Sequence, residues 1–268
     1  MSFALAPDAA PSTEVQRLLW EQAYQAYQAL QRDDLLAGVH EARQSCRRAR
    51  AVLKLARPSL TDEQYHSLKT CFREVSSVLS PIRDAAALHA LASLHGVPAP
   101  PLPSSEQVEQ AAEQGRAQLQ RLLARVELES LSVTRRALIK GFRQGYRAAR
   151  RRMVICRTQP SAENFHIWRK EVRVLFYQLQ LLSPLWPPLL AVLTAEADQL
   201  QTDLGSQRDL VLLTGLSDAL PATLQDDIVA SQRAAFARGG VLLAAQPRLM
   251  DAWLRSLWDQ HVLRVAEP

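Results

Sequence analysis

Apolar residues recur along nearly the whole chain at steps of three and four, the spacing that turns one face of an α-helix toward a core. The first such run extends from about Ser12 to Arg32, with Val15, Leu18, Leu19, Ala23, Ala26 and Leu30 in phase. A second helix is expected from Leu35 to just before Pro58. A third follows Thr61, which with Asp62 makes an N-cap, and stops near Ser80 and Pro81, and a fourth ends around Gly96. The run GVPAPPLPSS, residues 96–105, is too rich in proline for any helix and reads as a linker. Beyond it, helices are expected over roughly 106–130, 131–157, 162–182, 187–204, 207–220, 224–237 and 247–265. With nine glycines and no Asn-Gly or Asp-Gly pair, the chain has no hairpin signal, so the expected class is all-α. The expected plan is a lead-in without fixed structure (1–11), an N-terminal helical half (12–95), the linker, and a C-terminal helical half (106–268).

The two halves repeat a motif. From His40 the chain reads H-x-x-R-x-x-x-R; Pro58 lies eighteen residues on, and Arg83 and Asp84 follow after 43 and 44. From His166 the same motif recurs; Pro184 lies eighteen residues on, and Arg208 and Asp209 follow after 42 and 43. Matching motif, helix stop and distal Arg-Asp pair mark an internal repeat of helical units.

Charge sharpens this picture. Windows 40–57, 135–152 and 166–173 hold 17 of the 32 Lys and Arg but only Glu41 and Glu171 of the 27 acids, so they sum to +15 while the remainder sums to −10. Cations gathered this way repel one another unless something negative compensates them, which points to a polyanion. At about 100° per residue, His40, Arg43, Arg47, Arg50 and Lys54 share an arc of roughly 80°, away from most of the apolar positions. His166, Arg169, Lys170, Arg173 and Tyr177 share another, opposite Trp168, Val172, Leu175 and Leu179. Arg136, Lys140, Arg143, Arg147 and Arg150 form a third stripe, and His66, Lys69 and Arg73 a weaker fourth. Arginine forks bridge two phosphate oxygens, lysine adds a compact charge, and a histidine beside phosphate gains a reason to be protonated. Four such faces suit one groove. Cys46, Cys71 and Cys156 are odd in number and widely spaced, which suggests neither a disulfide framework nor a zinc site. The N-terminus lacks the pattern of a signal peptide, and the most apolar stretch, from Leu181, is broken by three prolines. A soluble protein of the reducing cytosol is expected.

The stretches VHEARQSCRRAR, GFRQGYRAARRRM, ENFHIWRKEVRVLFYQLQLLSPLWP and LGSQRDLVLL resemble the CHAD family, the conserved histidine α-helical domain, over most of the chain from about Leu18. The resemblance implies two helical bundles related by a pseudo-twofold axis around a basic cavity that binds inorganic polyphosphate without hydrolysing it. The family's basic positions fall here on His40, Arg43, Arg47, Arg50, the arginines around Tyr146, and His166, Arg169, Lys170 and Arg173. Cys46 and Ala49 depart from the family's leucine-rich pattern in the first motif. Polyphosphate granules in the cytoplasm, and polyphosphate-metabolising enzymes or granule proteins, become the expected setting and partners, with no membrane and no cofactor.

Two other classes compete. Nucleic-acid binding would use the same electrostatics, but only Tyr146 and Tyr177 are available near the basic faces for stacking on bases. A phosphohydrolase would want convergent carboxylates, and the basic windows offer only Glu41 and Glu171, both off the stripes. The expectation is therefore a noncatalytic binding protein.

Overall fold

A computed structural model describes residues 3–214 and 223–266, and within them the chain is all-α, with no strand. None of these helices is long and apolar enough to cross a membrane. The chain forms two compact units, Ala10–Thr134 and Met1–Ala9 with Arg135–Pro268.

The first unit contains α1 (Pro11–Ala29), α2 (Leu35–Ala56), α3 (Asp62–Val78), α4 (Ser80–Leu94) and α5 (Ser105–Leu128). The starts of α2, α3 and α5 are set by polar caps, which satisfy the amide donors left free in a first turn. Asp34 accepts from the Ala37 amide at 3.0 Å, and Thr61 with Gln64 and Ser104 with Gln107 form reciprocal capping boxes. α2 is the central helix, packed by the other four. Its apolar residues Val39, Ala42, Ala49, Val52 and Leu53 meet Leu18, Leu19, Phe72 and Leu119 in a core closed to solvent. α1 and α2 cross so closely that a Cβ on Gly38 would sit 2.2 Å from the Ala29 carbonyl oxygen.

The second unit contains α6 (Arg135–Thr158), α7 (Ala162–Leu182), α8 (Pro187–Leu213), α9 (Thr223–Leu242) and α10 (Pro247–Ala266). α7 lies between α6 and α8, and its Trp168 is buried in a stack on Phe236 with ring centroids 5.4 Å apart. Gly239 leaves room for that indole, which would stand 2.8 Å from an added Cβ. The repeat noted in the sequence has a local counterpart: α2 and α7 each run into a 3₁₀ turn, Arg57–Ser59 and Ser183–Leu185, that carries the repeat's proline. Proline lacks the amide that the next helical bond needs.

Three expectations are corrected. The chain divides at Thr134, not at the proline-rich segment, because α5 belongs to the first core: Arg116 donates to the Leu30 carbonyl at 2.7 Å and Gln16 to that of Val126 at 3.1 Å. The lead-in is ordered from Phe3. The Leu5 amide donates to the Leu181 carbonyl at 2.9 Å, its side chain is 5% exposed, and Phe3 meets Tyr177 edge-on. Residues 187–213 are one helix, unbroken at Gly205; the expected stop at Leu220 lies outside the described residues.

Candidate functional site

In the first unit the basic face of α2 rises from its apolar floor as the helical repeat requires. His40 is exposed, Arg47, Arg50 and Lys54 are half-buried, and Arg43 is only 9% exposed. From His40 to Lys54 the row is about 21 Å long at 1.5 Å per residue. α4 adds what the wheel cannot show. Its Arg83 and Asp84 stand beside the row, with Asp84 accepting from Arg83 at 3.4 Å and pairing with Arg43 at 3.8 Å. Arg43 also donates to the Ser76 carbonyl at 3.4 Å and to the Ser80 hydroxyl, while its Nε is buried without a hydrogen-bond partner. Arg43 is thus anchored across α2, α3 and α4.

The electrostatics are those of cations crowded on one partly buried face. Burial, then the charges of Arg47, Arg83 and Arg50, push the Arg43 guanidinium down to about 10, with Asp84 opposing. His40 is held below its ordinary value by burial first, then by Arg83, Arg47 and Arg43, with Glu41 acting in the other direction. Glu41 is itself ion-paired with Arg32 at 2.5 Å. Cys46, beneath the row, is fully buried, and burial pushes its thiol up to about 11.

The second unit repeats the arrangement on α7. His166, Arg169 and Arg173 are half-buried and Lys170 is exposed. α8 supplies the distal arginine, Arg208, and presents Gly205 under the Arg169 guanidinium, where an added Cβ would meet Nη2 at 3.2 Å and Nε at 3.4 Å. Burial, followed by Lys170, Arg208, Arg169 and Arg173, holds His166 down to about 4. In both units, then, the distal arginine of the repeat comes to the histidine that heads the row.

The remaining residues sort differently. On α6, Lys140 and Arg147 are exposed and Arg150 is half-buried, but Arg143 is ion-paired at 3.2 Å with Asp251 of α10, which also takes Arg255 at 2.8 Å. His66, Lys69 and Arg73 are exposed on α3, where Lys69 and Arg57 lie over the Tyr65 ring at 5.2 and 4.7 Å. Two tyrosines are corrections. Tyr177 is 5% exposed and packs between Phe3 and Phe176, so the N-terminal segment covers that end of the α7 row. Tyr146 is buried, and its hydroxyl donates to the Ala245 carbonyl at 3.1 Å. Neither ring is free to stack on a base. Arg83 and Arg208, in turn, belong with the candidate residues; the one signal for them was their matched distance from the two histidines.

Residues 18–217 match the CHAD domain family. Among solved structures the chain is similar to the crystal structure of the CHAD domain from the plant Ricinus communis, with 20% identity, a TM-score of 0.54 and 95% of each chain covered. No curated protein matches the sequence.

Proposed function

The chain belongs to the CHAD domain family, and from that premise we propose that it binds inorganic polyphosphate through the cationic faces of α2, α6 and α7, without hydrolysing it. The observation that carries this reading is the duplicated unit of a histidine-headed row of arginines with a further arginine brought in from a second helix. A row about 21 Å long, with a cation at nearly every turn, suits an extended polyanion better than a single phosphate. Each arginine fork forms charge-assisted hydrogen bonds to phosphate oxygens, and affinity grows with the number engaged. Among the described residues, Glu41, held by Arg32, and Asp84 offer the carboxylates near the α2 row. Binding needs no cofactor and fits a cytoplasmic role at polyphosphate granules, where enzymes of polyphosphate metabolism or granule proteins would be the partners.

The test is a titration with long-chain polyphosphate beside single-stranded RNA and duplex DNA, at low and near-physiological salt, with released phosphate assayed throughout. Polyphosphate binding that outlasts nucleic-acid binding as salt rises, with no phosphate released, is the expected result. Equal or tighter binding of nucleic acid, or steady phosphate release, would overturn the reading.

A further inference from the structure

Both histidines that head the cationic rows are placed where a proton is unwelcome until an anion arrives. His166 shares a face of α7 with Arg169, Lys170 and Arg173, three, four and seven residues on, and α8 packs Gly205 against the Arg169 guanidinium with Arg208 one turn further along. His40 has Arg43 and Arg47 three and seven residues on along α2, and α4 brings in Arg83 and Asp84, whose carboxylate pairs with both Arg83 and Arg43; Glu41 beside it is engaged by Arg32 of the turn after α1. We propose that the protein takes up protons as it binds a polyanion, with His166 and His40 as the acceptors, so that binding tightens as the medium becomes more acidic. The inference rests on the polyphosphate-binding reading above.

The physical chain is short. In the free protein the surrounding cations and partial burial keep both imidazoles neutral at physiological pH, His166 down to about 4. A phosphate chain laid over the same cations neutralises them and offers an acceptor oxygen to an imidazolium N–H, so both causes of the depression are reversed. Each imidazole then draws one proton from solvent. The sign follows from linkage: a group whose pKa is higher in the complex than in the free protein strengthens binding fully below its free value. That gain is lost as pH rises through the bound value. For His166 the window opens at about 4. It closes near or above the ordinary histidine value of about 6.5. Within it each proton taken up changes affinity about tenfold per pH unit. The internal phosphates of a long chain stay ionised across this range and contribute no titration of their own.

The experiment is calorimetric titration of the full chain with long-chain polyphosphate at about pH 6, in buffers of differing ionisation enthalpy, which counts the protons exchanged. The expected count is between one and two taken up by the natural protein. His166→Gln is expected to remove about one, and His166→Gln with His40→Gln the rest, while both variants still bind through their arginines. Binding by the natural protein with no proton uptake, or uptake unmoved by the two substitutions, would overturn the inference and leave polyphosphate binding intact. Absence of binding at every pH would instead overturn the reading on which it rests. If the double variant fails to fold, His166→Gln and His40→Gln made singly are each expected to lower the count, and a count lowered by neither would overturn the inference.

Discussion

Replacing Arg43 by methionine is expected to make the protein more stable while weakening its hold on polyphosphate. Arg43 is 9% exposed, its Nε has no hydrogen-bond partner, and its carboxylate neighbour Asp84 is 3.8 Å away on a side chain 55% exposed. Burial and the neighbouring arginines lower the guanidinium to about 10. The depression from the ordinary arginine value corresponds to about 3 kcal/mol. A cation with a lowered pKa destabilises the fold, and the penalty is present in full below about 10 and relieved only at higher pH. At neutral pH it is therefore complete. Methionine matches the stem of the side chain in volume and brings no charge. The hydrogen bonds to Ser76 and Ser80 are lost, at roughly 1 kcal/mol each. Neither partner is orphaned, because the Ser80 hydroxyl still donates to the Ser76 carbonyl at 2.9 Å. The balance is a gain of about 1 kcal/mol, or a Tm higher by about 2–4 °C. Calorimetric unfolding at neutral pH reads it, and titration with polyphosphate at fixed salt reads the companion loss of affinity, expected to be several-fold. A Tm lower by several degrees would show that the bonds across α2, α3 and α4 outweigh the buried charge, and the reasoning would fail.

Three further outcomes are expected. Gly205→Ala pushes the Arg169 guanidinium off α8 and should lower polyphosphate affinity several-fold with Tm unchanged or slightly raised, since alanine favours a helix interior by about 1 kcal/mol; a Tm loss without an affinity loss would make Gly205 a packing residue only. Arg47→Ala should weaken polyphosphate binding and reduce the slope of log affinity against log salt by about 1; an unchanged slope would place Arg47 off the ligand's path. Leu5→Ala should destabilise the second unit by about 2 kcal/mol, since it empties a buried site; unfolding indistinguishable from that of the natural chain would mean that the N-terminal segment adds no packing.

Much of the candidate site was legible because helical phase alone places His40, Arg43, Arg47, Arg50 and Lys54 on one face, and His166, Arg169, Lys170 and Arg173 on another. Thr61 acts as the expected cap because its hydroxyl accepts from the Gln64 amide at 3.1 Å, a bond between neighbours in sequence. What escaped depends on contacts between residues far apart. Phase cannot tell that Arg43 is sunk against Ser76 and Ser80 while Arg47, one turn on, is not. Tyr177 lies in phase with the cations, yet Phe3, more than 170 residues earlier, covers it. Gly205 and Ser206 read as a break, but glycine there makes room for Arg169 and leaves the helical ladder intact. α5 follows a proline-rich segment that looks like a boundary; its buried Leu119 and Leu122 tie it to the helices before that segment. The distal arginines were visible as a spacing, and only folding turned that spacing into proximity.

The split ownership of the N-terminus bears on the order in which the chain matures on the ribosome. Phe3 to Ala9 are synthesised well before the residues they pack on, Tyr177 and Leu181, and before Arg135, which donates to the Pro7 carbonyl. The first unit, Ala10–Thr134, is contiguous and can fold as it emerges. The segment before Ala10 must wait until α7 has left the exit tunnel to find its packing. A bulky substitution at Leu5 would therefore burden the unit completed later, although in sequence it precedes the unit completed earlier.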